Sequence, residues 1–278
     1  MKIYKLRSGV LIENKAQRYA LPVGDWENFI NDDNILSRLT EFLQSGKAIT
    51  TNGIKETDFL PPIGRNQELW ACGVTYLRSK VGRQEESKAS GGGDFYAKVY
   101  EAERPEVFFK AMSNRIAGTH QKVRTRKDST WDVPEPELTL VVTSSGKIIG
   151  YTIGNDMSSR SIEGENPLYL PQAKTYDECA ALGPCIYLTD GPLDGNTMIS
   201  LEINRNTENI FKGEVSLDQM KRKPEELVSY VFQECTFPSG CLIMTGTGIV
   251  PGNDFTLHSG DEIRITIEPI GTLVNTVR

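Results

Sequence analysis

The chain has 278 residues, 38% of them hydrophobic and 24% charged, with a formal net charge of −6. That is enough apolar material for a sizeable core, so a disordered chain is excluded. With a pI of about 5.2 there is no basic footprint for nucleic acid, and no apolar run reaches the roughly 20 residues of a membrane helix. The start "MKIYKLRSGVLIEN" lacks a signal-peptide core, which points to the cytoplasm. Cys72, Cys179, Cys185, Cys235 and Cys241 are odd in number and spaced unlike a zinc knuckle, so they are expected to be reduced thiols. Two histidines, His120 and His258, cannot build a His-rich metal site.

In chain order, Ile3, Leu6, Val10 and Ile12 predict a strand or hairpin over residues 1–22. Ile35, Leu36, Leu39, Phe42 and Leu43 recur at helical spacing between the capping choices Asp32–Asn34 and Gly46. Residues 1–65 thus read as a small N-terminal α+β domain. The Pro-Pro pair in "LPPIGRNQELWACGV" marks a junction, and "LWACGV" opens a main domain over residues 66–278. "ESKASGGGDF" at 86–95 reads as a loop, with Gly91–Gly93 able to close over a site. Beyond it come short strands separated by turn signals: "SSGK", "DGPLDGN" and "VPGND". One helix interrupts them, over "KPEELVSYVFQEC", with Pro224 and two glutamates in its first turn. The predicted class is a β-rich α+β fold, a folded mixed sheet or barrel rather than a doubly wound sheet.

"DVPEPELTL" at 132–140 holds Glu135 and Glu137 two residues apart, on one face of a strand, at the head of an apolar run. The next strand ends in "GYTIGNDMSSR", and a tight turn at "SSGK" would return Asp156 to the same end. Two readings stand. Three carboxylates without a histidine or thiolate suit a hard cation, Mg²⁺ first, then Mn²⁺ or Ca²⁺. Alternatively, E-P-E is a solvated strand end and Asp156 caps a turn.

"EPELTLVV", "GYTIGNDMSSR", "LPQAK" and "LIMTGTGIVPG", in that order over residues 66–278, resemble the fumarylacetoacetate hydrolase family. "RPEVFFKA", "ENPLYLPQAK", "QMKRK" and "IGTLVNTV" make the chain most similar to that family's 2-keto-3-deoxy-D-arabinonate dehydratases. The resemblance implies a mixed β-sheet roll and homodimers or homotetramers. It implies that Glu135, Glu137 and Asp156 are metal ligands and that Lys174 faces the substrate. Glu106 matches an acid of the dehydratase group, and Thr247 with Gly246 lies near the substrate carboxylate. Arg78 and Arg160 occupy motif positions at the substrate.

The departures from the family pattern also bear on function. Hydrolase members carry a His-x-x-Glu pair that activates water; here Ser79 and Gly82 stand in those places. Ser161 replaces an aspartate after the arginine of the "SSR" motif. The implied reaction is therefore loss of water from a 2-keto-3-deoxy sugar acid through a metal-stabilised enolate. Lys174 would be the base, and Glu106 the acid that protonates the leaving hydroxyl. Two competing readings are a C–C hydrolase or decarboxylase of 2-oxo acids on the same fold, which Glu85 or Glu86 could revive by holding water, and a non-catalytic metal-bound scaffold.

Overall fold

The computed structural model describes residues 1–46, 48–51, 53–86 and 93–278, with the side chains of residues 83, 85, 86 and 93–96 outside that description. The sequence-predicted Gly91–Gly93 closure lies outside the described residues except for Gly93, which begins a helix, Gly93–Glu101. The side chains of Glu85 and Glu86 lie outside it as well.

Two strands dominate the architecture. Asp132–Val142 and Ile148–Ser159 pair antiparallel across the "SSGK" turn. Every residue of the first is buried, so it is covered on both faces and sits deep in the molecule. Around this hairpin grows one large sheet. On one side Ile148–Ser159 pairs with Ala180–Leu188, then Lys2–Leu6, Gly9–Asn14, Gln17–Leu21 and Ile49–Thr50. On the other side Asp132–Val142 pairs with Cys241–Met244, Glu68–Gly73 and Glu106–Met112. The N-terminal residues therefore extend the main sheet: Lys2 and Ile3 register against Tyr187 and Ile186.

A second sheet runs Glu208–Ser216, Met198–Arg205, Glu262–Ile267, Gly271–Val277 and Lys122–Val123. Its strand Glu262–Ile267 alternates half-buried and buried, so Ile263, Ile265 and Ile267 face the core. Among the described residues the strands form two open mixed sheets and no closed barrel, within the β-rich α+β class that the sequence predicts.

The predicted helices form as Ile35–Gln44 and Pro224–Phe232. Leu77–Glu86, with Gly93–Glu101, adds helix where the sequence pattern gave none. Its polar run "RSKVGRQEE" lacks an apolar stripe that would announce it. No helix among the described residues is long and apolar enough to cross a membrane.

Candidate active site

The register of the central hairpin builds the site. Asp156 lies directly across from Glu135, and Gly154 across from Glu137. Because alternate residues share a face, Glu135, Glu137 and Asp156 project together. One carboxylate oxygen from each lies within 4.8 Å of the other two, and all three residues are buried. The solvated-strand-end reading of E-P-E is thereby overturned. Pro136 is tolerated there because Cys241–Met244, on the far side of its strand, reaches only to Thr139.

Past Met244 the chain turns away at Gly246, whose φ of +93° suits glycine and whose N–H donates to Glu137 Oε2 at 2.6 Å. A Cβ there would also collide with the Thr75 hydroxyl. "TGTG" is thus a backbone donor placed against a carboxylate. The Thr247 side chain accepts from Ile249 N–H at 3.2 Å and borders the same cleft.

Lys174 ends the short helix Leu170–Lys174, which Pro171 helps to start. It is fully buried, and its ammonium donates to Glu135 Oε2 at 2.7 Å, Ser158 Oγ at 2.6 Å and Asp156 Oδ2 at 3.2 Å. Phe108 forms an apolar wall, with its ring centre 5.9 Å from Nζ. Arg160 is buried too, and its guanidinium reaches Glu135 Oε1 at 2.7 Å, so it braces a carboxylate of the trio. Glu106 faces Gly73 across paired strands, so close that a Cβ on Gly73 would collide with its carboxylate. Gly73 in turn lines the cleft, together with Glu135, Glu137, Asp156 and Lys174. Arg78 is a different case. On the helix Leu77–Glu86 it is exposed, whereas the adjacent Ser79 is buried and borders the cleft. Neighbouring helical residues diverge by about 100°, so both cannot face the site.

Two further charged groups join the cluster. Lys110 is fully buried, with Nζ 2.5 Å from Asp156 Oδ1. It also donates to the carbonyls of Met157 and Lys174. Its place follows from period-2 alternation with Glu106 and Phe108, a signal available in "EVFFK". Glu163 is 1% exposed, with Oε1 3.4 Å from Lys174 Nζ and Oε2 3.8 Å from Arg160 Nε. Nothing in "SRSIEGEN" distinguishes it from a surface acid.

Glu135, Glu137, Asp156 and Glu163 thus meet Lys110, Arg160 and Lys174, four buried acids against three bases among the described residues. Burial, then the charges of Asp156 and Glu135, push the Glu137 carboxyl well above the usual range, against the Lys174 ammonium and the Gly246 N–H. The trio's negative charge is therefore under-compensated. A set of clustered carboxylate oxygens short of positive charge fits a hard divalent cation such as Mg²⁺.

The family model "Fumarylacetoacetate (FAA) hydrolase C-terminal" matches residues 80–278. The chain belongs to the fumarylacetoacetate hydrolase family. A relative in Haloferax volcanii named "probable 2-keto-3-deoxyxylonate dehydratase" is 49% identical over 212 residues, 76% of this chain and 72% of its own. The "2-dehydro-3-deoxy-D-arabinonate dehydratase" of Saccharolobus solfataricus is 42% identical over 234 residues, 84% of this chain and 77% of its own. A solved family structure, "2-keto-3-deoxy-D-arabinonate dehydratase complexed with magnesium and 2,5-dioxopentanoate", superposes with a TM-score of 0.82. It is 34% identical and covers 100% of this chain and 99% of its own.

Proposed function

We propose that this chain is a Mg²⁺-dependent dehydratase that converts a 2-keto-3-deoxypentonate, the arabinonate or xylonate derivative, to 2,5-dioxopentanoate. The observation that carries the reading is the buried trio Glu135, Glu137 and Asp156 with Lys174 among its oxygens. It occurs in a chain 49% and 42% identical to relatives named as such dehydratases.

Held by the three carboxylates, the ion supplies Lewis-acid polarisation of the substrate's 2-oxo group, which acidifies the C3 protons. Lys174, as the neutral amine, would remove one of those protons to leave the enolate, whose electron pair then forms the C3=C4 bond as the C4–O bond breaks. Glu106 gives its proton to the departing 4-hydroxyl, so one water leaves. A proton then leaves C5 and one is returned to C3, which moves the double bond to C4=C5; the resulting enol takes a proton at C4 as its C5 hydroxyl gives one up, so C5 becomes the aldehyde carbon. Thr247 holds the carboxylate end, the Gly246 N–H braces Glu137, and Phe108 keeps water from the reacting carbons. Arg160 and Lys110 orient the trio.

The hydrolase alternative needs a group to activate water at residue 79. Ser79 is buried there, and its hydroxyl donates to the Tyr76 carbonyl at 2.8 Å, which disfavours that role.

The same reading includes a homodimer or homotetramer, and Leu77 and Leu168, large apolar side chains left in water, support it. It also includes residence in the cytoplasm and the division of the chain at residue 65.

The test is to supply racemic 2-keto-3-deoxypentonate with Mg²⁺ and follow aldehyde formation. Product that appears with Mg²⁺ and vanishes with a chelator is expected. No aldehyde, together with cleavage of an acylpyruvate, would replace the dehydratase by the hydrolase.

A further inference from the structure

Lys174 occupies two places at once in electrostatic terms. Its three N–H donors go to Ser158, to Glu135 and to Asp156, and the last two belong to the carboxylate trio. A divalent cation bound by that trio and the Lys174 ammonium would compete for the same oxygens. In a dry pocket two positive centres sharing those oxygens repel strongly, so loading the trio obliges Lys174 to give up at least part of its hold. A displaced buried ammonium needs another anion, since leaving it unpaired costs several kcal/mol.

Beyond the trio, the described residues offer one acid with an oxygen within 4 Å of Nζ: Glu163 Oε1, at 3.4 Å. Glu163 stands on the short helix Arg160–Glu165 and is 1% exposed, so solvent does not weaken its charge. Its other oxygen lies 3.8 Å from Arg160 Nε, and Arg160 is itself tied to Glu135 at 2.7 Å. Glu163 thus touches the two cations that grip Glu135 without itself belonging to the trio.

We infer that Glu163 is the positioning residue that receives Lys174 when a cation occupies Glu135, Glu137 and Asp156, so that the metal and the amine can coexist in one pocket. Lys174 spans Glu135 and Asp156 of the trio. In the loaded state it swings toward Glu163 and remains beside the cleft, next to Phe108. The shift needed is small, because Glu163 lies only 0.2 Å farther from Nζ than Asp156 does, 3.4 against 3.2 Å. With Glu163 neutralised, the anion 3.4 Å from the ammonium is lost and Lys174 competes more strongly with the ion.

The inference rests on the trio binding Mg²⁺, and the test separates the two. Mg²⁺ affinity is measured by calorimetry on the full chain, without substrate, for the wild type, Glu163→Gln, Lys174→Met and the double variant. Wild type and Lys174→Met should both bind, the latter at least as tightly. Glu163→Gln should weaken Mg²⁺ binding about tenfold in the wild type, yet by less than twofold where Lys174 is already methionine. Glu163→Asp should recover part of the loss. Equal weakening in both backgrounds would mean that Glu163 acts only through its general negative charge, and would overturn the inference while leaving the metal centre standing. Failure of wild type and Lys174→Met alike to bind Mg²⁺ would overturn both. Thermal melts of all four proteins identify any variant that fails to fold, and Lys174→Arg in place of Lys174→Met then completes the cycle, with the Glu163 effect expected to persist.

Discussion

The two ends of the central hairpin make opposite use of charge. At the turn end, Asp33 accepts from the Thr143 hydroxyl at 2.6 Å and from Ser145 at 2.9 and 2.8 Å, while the Lys147 ammonium reaches the Asp33 carbonyl. Ser144, Ser145 and Lys147 are exposed there, so solvent and short hydroxyls suffice to hold the charge. At the other end, Glu135, Glu137 and Asp156 are buried, and among the described residues Lys110, Arg160 and Lys174 offset them and Glu163. The same two strands thus carry a tether at one end and a charge-hungry pocket at the other. The difference is burial: a carboxylate out of water must find a cation or keep its proton.

The comparison breaks most readily at Glu137. Glu137→Gln removes a ligand while keeping shape, and turnover should fall on the order of 10³-fold or more, the worth of several kcal/mol of lost charge stabilisation. Calorimetry should show Mg²⁺ binding lost in parallel; retained binding would place the ion elsewhere.

Next in size, Lys110→Met deletes one partner of a fully buried pair, 2.5 Å from Asp156. Chemical denaturation should show a loss of about 3 kcal/mol, partly restored by saturating Mg²⁺ because the ion gives Asp156 another partner.

Asp132 sharpens the contrast between the ends by pH. Burial is the main cause that pushes its carboxyl up to about 6, against a hydrogen bond from Ser129. The folded state then binds more protons than the unfolded one between the ordinary aspartate range and pH 6. Its contribution to stability is therefore greatest at low pH and falls as pH rises through that window. Asp132→Asn should remove a slope worth roughly 1–3 kcal/mol, seen as a smaller change in denaturation midpoint between pH 4 and pH 7. An unchanged slope would mean that Asp132 is charged in the fold at both pH values.

The smallest effect belongs to the turn end. Asp33→Ala should cost about 1 kcal/mol, read from the melting temperature, because its partners regain water when it is gone. Turnover should be unaffected, since the turn lies at the far end of the strands from the cleft.

The alternation of "DVPEPELTLVV" and the turn at "SSGK" determined the hairpin, and with it the face shared by Glu135 and Glu137 and the return of Asp156. The family motifs named Lys174, whose contact with the trio the fold then supplies. Those features are local, or repeat with the period of a strand, so a sequence displays them. What the sequence did not display was burial and distance. Lys110 reads as a site lysine or a rim lysine alike until its ammonium is seen against Asp156, and Glu163 reads as a surface acid until it is seen against Lys174. Arg78 and Ser79 are neighbours in the chain, yet one turns to solvent and the other to the cleft. Only tertiary structure decided these, because the energy of a charge depends on what surrounds it after folding, and those surroundings come from segments distant in the chain.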